Sequence, residues 1–168
     1  MTILFAYDAS ESADAAIRAA ATVVDTHNAD VVVLSVWEPL LVEAIRAARF
    51  GPAALPTNTA EIDQRSERAA DEAAEHGAQI AAELGFDAKP LAIADERNIA
   101  DAIVGTADER DVDLIVVGAR GLAGVRAFLG SVSNHVIQHS HRPVLVIPPK
   151  GSAKPQEASG IAADAVKA

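Results

Sequence analysis

The chain has 168 residues, 50% of them hydrophobic, with 24 acidic against 14 basic side chains and a formal net charge of -10. That length supports one domain with a sizeable core. The lack of cysteine excludes disulfides, thiolate metal sites and cysteine nucleophiles. Strong acidity without a basic stripe argues against duplex nucleic acid or an anionic membrane as partner. No run approaches the roughly 18 apolar residues of a membrane span. The opening MTILFAYDAS carries no basic stretch of the kind that begins a signal peptide, so a cytoplasmic location is expected.

Taken in order, Thr2 to Tyr7 is apolar on both faces, as a central parallel strand requires. Asp8 to Ser12 breaks it. Ser10 or Ser12 is placed to cap a helix in which Ala13, Ala16, Ile17, Ala20 and Val24 recur at helical spacing up to about His27. Val31 to Val36 reads as a second buried strand. From Trp37 to Thr59 the pattern loosens, with a short helix suggested over Leu41 to Phe50. So long a connection suits a lid, a contact surface or a mobile segment. A long helix follows over about Ala60 to Leu84, with Ala69, Ala73, Gly77, Ile80 and Leu84 expected on its inward face and Gly85 as its stop. Ala88 to Ala94 is a third strand, and Pro90 suits it to a sheet edge. Asn98 to Arg110 reads as a helix with Ile99, Ala102, Ile103 and Ala107 inward. Leu114 to Val117 is a fourth strand, Ser131 to His139 a last helix, and Val144 to Ile147 a fifth strand. The division expected is a domain over 1–149 and a flexible C-terminal tail over 150–168, rich in Lys, Pro, Ser, Gly and Ala.

Alternation of strands and helices in this way implies a parallel sheet wound on both faces, which is an α/β fold. In such sheets ligands sit beyond the carboxyl ends of the strands, where the strand order reverses. If the first and fourth strands are neighbours, as in a 3-2-1-4-5 order, Asp8 and Gly118 share one crevice.

The stretch after the fourth strand concentrates the chemistry. Gly118, Gly121 and Gly124 stud a loop, and Gly130-Ser131-Val132-Ser133 opens the last helix. This is neither a P-loop, since no Gly-Lys-Ser/Thr is present, nor a dinucleotide fingerprint. Two readings stand side by side. In one, the glycines merely turn the chain out of the strand. In the other, they bare backbone N–H groups for phosphate at a helix N-terminus, with the hydroxyls of Ser131 and Ser133 as caps or further donors. Asp8 is likewise either a turn-former or an acceptor for a base or ribose. Arg120 and Arg126 either screen phosphate or are solvated surface residues. His135 and His139 have the i, i+4 spacing that can chelate a metal, but no third ligand accompanies them, and no metal site is assigned. No nucleophile–base pair with a third, orienting group is visible, so no catalytic residue is assigned.

Gly118-Ala119-Arg120-Gly121, a spacer, and Gly130-Ser131-Val132-Ser133 together resemble the nucleotide signature of the universal stress protein family. ILFAYDAS from Ile3 to Ser10 is similar to that family's first strand and its Asp-x-Ser turn. VVVLSVWEP from Val31 resembles its second strand, and RPVLVIP from Arg142 its last. The resemblance covers about residues 2 to 148. It implies a five-stranded, adenine nucleotide alpha hydrolase-like fold and a homodimer made by antiparallel pairing of the last strands, here Val144 to Ile147. In the ATP-binding branch it implies an adenine nucleotide (ATP, or AMP or ADP) with Mg accompanying the triphosphate. Residues at the end of strand one (Ala6, Tyr7 and Asp8) meet the nucleoside, and backbone at Val36 meets adenine. Gly118, Ala119, Arg120 and Gly121, with Gly130, Ser131, Val132 and Ser133, hold ribose and phosphates. Two departures stand out. The spacer Leu122 to Leu129 is one residue shorter than the family's usual one, and Ala9 stands where the family often has glycine. The expected function is thus an ATP-binding stress-response protein. A slow Mg-dependent ATPase and a nucleotide-free dimeric interaction module are the alternatives.

Overall fold

The computed structural model describes residues 1–48, 56, 58–95, 98–119 and 129–148. Five parallel strands, β1 (Thr2–Ala6), β2 (Asp30–Trp37), β3 (Asp87–Ala94), β4 (Leu114–Gly118) and β5 (Val144–Ile147), form one sheet in the order β3-β2-β1-β4-β5. Among the described residues five helices accompany them: α1 (Glu11–Ala20), α2 (Leu40–Ala47), α3 (Ala60–Glu83), α4 (Ile99–Glu109) and α5 (Ser131–His139). The order is the one expected, and it puts β1 between β2 and β4, with Ala6 opposite both Leu34 and Val117. Chain direction reverses its course across the sheet at β1, so a crevice opens between the carboxyl ends of β1 and β4.

The two faces of the sheet explain why the inner strands read as continuous apolar runs. Side chains alternate across a strand, so β1 sends Ile3 and Phe5, followed by Tyr7, to the α1–α3 side and Leu4 with Ala6 to the α4–α5 side. β2 divides in the same way, with Val31 and Val33 toward the first side and Leu34 toward the second. Ile3, Leu4, Phe5, Val33, Ile115 and Val116 are fully buried, each stabilising the fold by roughly 1.5–3 kcal/mol relative to exposure. Phe5 and Phe86 meet edge to face at 5.7 Å. Pro90 lies in β3, an edge strand, where its missing N–H breaks no inner ladder.

Several boundaries and faces differ from expectation. α1 stops at Ala20, not near His27; a turn and a short 3₁₀ segment, Thr26–Asn28, follow, although Val24 still packs on the core. The buried stripe of α3 is Ala70, Ala74, Gly77, Ala78, Ile80 and Ala81, while Ala69 is exposed and Ala73 and Leu84 are half-buried. Gly77, at the centre of this stripe, packs directly on Tyr7 and Val33. In α4 the buried residues are Ala100, Ile103, Thr106 and Ala107, with Ile99 and Ala102 half-buried. The short helix anticipated over Leu41 to Phe50 is α2, Leu40–Ala47; it buries no residue and leaves Leu41 and Ile45 exposed. Its first N–H, that of Leu40, donates to Asp63 Oδ1 at 2.7 Å. Beyond residue 48, the rest of the loosely patterned segment up to Thr59, apart from 56, 58 and 59, lies outside the described residues, as does the tail over 150–168. Among the described residues no helix is long and apolar enough to cross a membrane.

Candidate functional site

The site begins where β1 ends. The N–H of Tyr7 donates to Leu34 O at 2.8 Å, extending the β1–β2 ladder by one residue. The Tyr7 ring turns to the α1–α3 side. There its hydroxyl donates to Asp14 Oδ1 at 2.5 Å and lies 2.8 Å from His76 Nδ1. Burial, then the hydrogen bond to Asp14 and the negative charges of Asp14 and Asp8, hold this hydroxyl far above the ordinary phenol range. Its single proton goes to Asp14, so His76 must donate from Nδ1. His76 therefore has a partner that the sequence does not signal, 69 positions from Tyr7.

Tyr7 pins the chain just ahead of Asp8, which is exposed. Asp8 Oδ1 accepts the Ser10 N–H at 3.1 Å, a turn-forming bond. Ala9 between them is left-handed, with φ at 56°. Ser10 caps α1 as anticipated, its hydroxyl accepting from the Ala13 N–H at 3.2 Å.

Across the crevice, Gly118 ends β4 against the first turn of α1. A Cβ there would fall 2.7 Å from Ser12 Oγ and 3.0 Å from Ser12 O, so the close approach of α1 already requires glycine at this position. The next residues tie the two ends of the glycine loop together. Ala119 N–H donates to Ile147 O, and Gly130 N–H donates to Ala119 O, both at 2.8 Å. Ser133, 5% exposed, donates its hydroxyl to Gly118 O at 2.7 Å. Ser133 thus locks α5 onto the end of β4. Gly130 is the N-cap residue of α5, so neither serine caps the helix as anticipated, and no side chain caps it among the described residues. The first-turn N–H groups of α5 have no intrahelical acceptor, and Ser131 beside them is exposed. Arg120, Gly121 and Arg126 lie outside the described residues, as does the spacer apart from Leu129.

A cavity of about 350 Å³ fills the space between these walls, within the range of small-molecule sites. Ala6, Tyr7, Asp8, Val36, Gly118, Gly130, Ser131, Val132 and Ser133 all line it; of the described residues singled out from the sequence, only Ala119 does not. The crevice shared by Asp8 and Gly118 is therefore present. Leu34, Val117, Ile99, Ile103 and Ala13 complete the lining. The sequence marks Ile99 and Ile103 as an inward helix face, and nothing in their spacing separates a cavity wall from core. The result is a mainly apolar slot, lined by strand ends and by Ile99 and Ile103 of α4, with the Asp8 carboxylate and the N-terminus of α5 on its border.

The histidines of α5 are engaged elsewhere. His135 Nε2 lies 2.7 Å from Asp101 Oδ1 on α4, and His139 Nδ1 lies 2.9 Å from His135 O with the two rings stacked at 3.9 Å. Both acceptors lack protons, so each named nitrogen carries one. Among the described residues no group of three or more His, Asp or Glu is placed to hold a metal ion.

Fold and cleft together define a class: doubly wound parallel α/β proteins of 3-2-1-4-5 order with a ligand-sized slot at the switch point. Over residues 1–148 the chain matches the Universal stress protein family, and it belongs to that family. A Thermus aquaticus relative, "Universal stress protein in QAH/OAS sulfhydrylase 3'region", is 30% identical over 149 residues, covering 87% of this chain and 97% of its own. Universal stress protein MJ0577 of Methanocaldococcus jannaschii is 28% identical over 89% of this chain and 96% of its own. The solved structure of MJ0577 superposes with a TM-score of 0.71 at 26% identity, covering 90% of this chain and 97% of that one. The Archaeoglobus fulgidus universal stress protein in complex with dAMP shares the fold, with a TM-score of 0.59 at 24% identity over 88% of this chain and 97% of that one. Universal stress protein YxiE of Bacillus subtilis matches more locally, at 42% identity over 74 residues, which is 44% of this chain and 49% of the relative.

Proposed function

We propose that this universal stress protein belongs to the ATP-binding branch and works as a homodimer whose adenine-nucleotide occupancy is read by its partners. The observation that carries the reading is the cavity of about 350 Å³ that gathers Asp8, Val36, Gly118 and Gly130 to Ser133 around one space. In this reading the adenine lies in the slot between Val36 and Ile99, with the backbone of Val36 reading its edge. Asp8 accepts from the ribose hydroxyls, and the α5 N-terminus meets the phosphates through the N–H groups of Ser131, Val132 and Ser133. Ala6 and Tyr7 act through their main chain, Ala119 ties β5 and the start of α5 to the loop, and Arg120 and Gly121 complete the phosphate loop. Mg accompanies the triphosphate. The dAMP complex of the Archaeoglobus fulgidus relative supports an adenine nucleotide as the ligand class.

The roles are binding roles. Ser133 donates its hydroxyl proton to Gly118 O, so it is not placed as a nucleophile. Calorimetry with ATP and Mg²⁺ tests the reading. Saturable binding is expected, weakened at least tenfold by Gly130→Val with the circular dichroism spectrum unchanged. No heat on folded protein would overturn it.

The dimer rests on β5. This edge strand pairs only with β4 among the described residues, and its four residues are all half-buried. An unguarded apolar edge favours pairing with a second copy. Leu145→Lys is expected to shift sedimentation toward monomer, and an unchanged dimer would place the interface elsewhere.

A further inference from the structure

The contact between α4 and α5 links the proposed phosphate end of the cavity to a titrating group. Ser131 and His135 are four residues apart on α5, hence on one face and about 6 Å apart along the axis. His135 bonds Asp101 of α4 at 2.7 Å, with side-chain exposures of 34% and 44% respectively. Asp101 is itself held by Asn98, whose amide nitrogen bonds Asp101 Oδ2 and whose oxygen accepts the Asp101 N–H at 2.9 Å. The carboxylate is thus fixed beside the ring of a residue one helical turn from Ser131.

We propose that His135 is the residue that matches this site to ligand charge: its protonation cancels Asp101 and admits an anionic nucleotide, while neutral His135 leaves a net negative charge that opposes one. The inference rests on the nucleotide reading above and adds how that site is regulated. The neutral imidazole keeps its bond to Asp101 through the Nε2 proton, so the geometry need not change; only the charge does. When His135 is neutral, the nearby pair carries one negative charge. When His135 is protonated, the pair is neutral. Two unit charges one helical turn apart in water interact enough to change a binding constant about threefold. Affinity for an anion therefore rises as pH falls through the His135 titration, and an uncharged ligand of the same shape feels no such change.

Among the described residues, the surroundings contain little that would mask this effect. Of the elements packed on α5, β5 carries no ionisable side chain, and on α4 the other acids are Asp108, occupied by Arg142 and His141, and Glu109 beside it in the last turn. On α5 itself the other titrating group is His139, stacked on His135.

The test uses adenosine 5′-(methyl phosphate), a diester with one fixed charge over the whole range, and adenosine as the uncharged control. Affinities are measured by calorimetry from pH 5 to 8 on the full chain, with the His135 titration followed by NMR. The expected result is about a threefold gain for the diester as pH falls, centred on the His135 midpoint, and a flat profile for adenosine. In His135→Gln, which retains an N–H for Asp101, the diester profile flattens. In Asp101→Asn the diester binds about threefold tighter at pH 8. A flat diester profile in the unaltered protein, or a slope that survives in His135→Gln, refutes the linkage alone, since binding itself persists. Failure of ATP, the diester and adenosine to bind at any pH overturns the nucleotide reading and this inference with it.

Discussion

Two glycine-to-alanine exchanges on two helices carry opposite signs, and the sheet contact made by α3 is the reason. Gly77 is in the middle of α3, facing β1 and β2. A Cβ there would lie 2.8 Å from Val33 Cγ1 and 3.0 Å from both Cδ1 and Cγ of the Tyr7 ring. Neither neighbour yields easily. Val33 is fully buried, and Tyr7 is tethered by Asp14 and His76. Overpacking of this kind costs about 1–3 kcal/mol. Replacing a helix-interior glycine with alanine returns about 0.8–1.0 kcal/mol of propensity. Gly77→Ala should therefore destabilise by about 0–2 kcal/mol. Gly105 in α4 is different, since a Cβ added there would meet nothing within 4 Å. Gly105→Ala should keep the whole propensity gain of about 1 kcal/mol. The difference between the two variants, about 1–3 kcal/mol, corresponds to several degrees in Tm for a domain of this size. Urea unfolding at a fixed protein concentration measures both. If Gly77→Ala stabilises as much as Gly105→Ala, then α3 does not approach β1 and β2 as closely as described, and the pinning of Tyr7 ahead of Asp8 loses its basis.

Other outcomes follow from single contacts. Ala9→Gly relieves a left-handed alanine at φ 56° and should stabilise by about 0.5–1 kcal/mol in the same assay; a loss would show that the turn after Asp8 is not strained. Tyr7→Phe keeps the ring against Gly77 but removes the hydroxyl from Asp14 and His76, and a cost of about 1–3 kcal/mol is expected. Loss of the Nδ1–H signature of His76 by NMR should accompany it, and an unchanged His76 tautomer would contradict the bond. The Arg142 guanidinium, with His141 second, holds the Asp108 carboxyl below its ordinary 3.8. A depressed carboxylate stabilises the fold fully above its unfolded value, and this contribution is lost as pH falls through the folded one. Arg142→Ala should move the Asp108 midpoint up toward the ordinary value in a carbon-detected NMR titration, and an unmoved midpoint would dismiss the ion pair.

Much of the site was legible because its parts are local. The breaks after β1 and β4, Asp8 and Gly118, follow apolar runs that end abruptly, and the helix entry at Gly130-Ser131 has its own short pattern. What those residues do locally was less legible. Gly118 looks like part of a phosphate loop, yet Ser12 on α1 needs it to be glycine for packing alone. Ser133 looks like a helix cap, yet it bonds Gly118 O, 15 positions earlier. The inward face of α3 was legible at Gly77 and Ile80, with Ala73 and Leu84 packed at its margin; Ala69 was misplaced because alanine buries and exposes with nearly equal ease.

By itself, the sequence determined the alternation of strands and helices, the central place of the first strand with its apolar run on both faces, and the place of Pro90 at an edge. These depend on side-chain period and on backbone donors, which act within a few residues. Only the tertiary structure decided which side chains meet. It set Asp113 Oδ2 against the Thr2 N–H across 111 positions, His76 against Tyr7 across 69, and Asp101 against His135 across 34. Such pairs form once the sheet order has brought β1 beside β4 and the helices onto its faces. Their geometry is settled by packing of the whole chain, and no local spacing carries it.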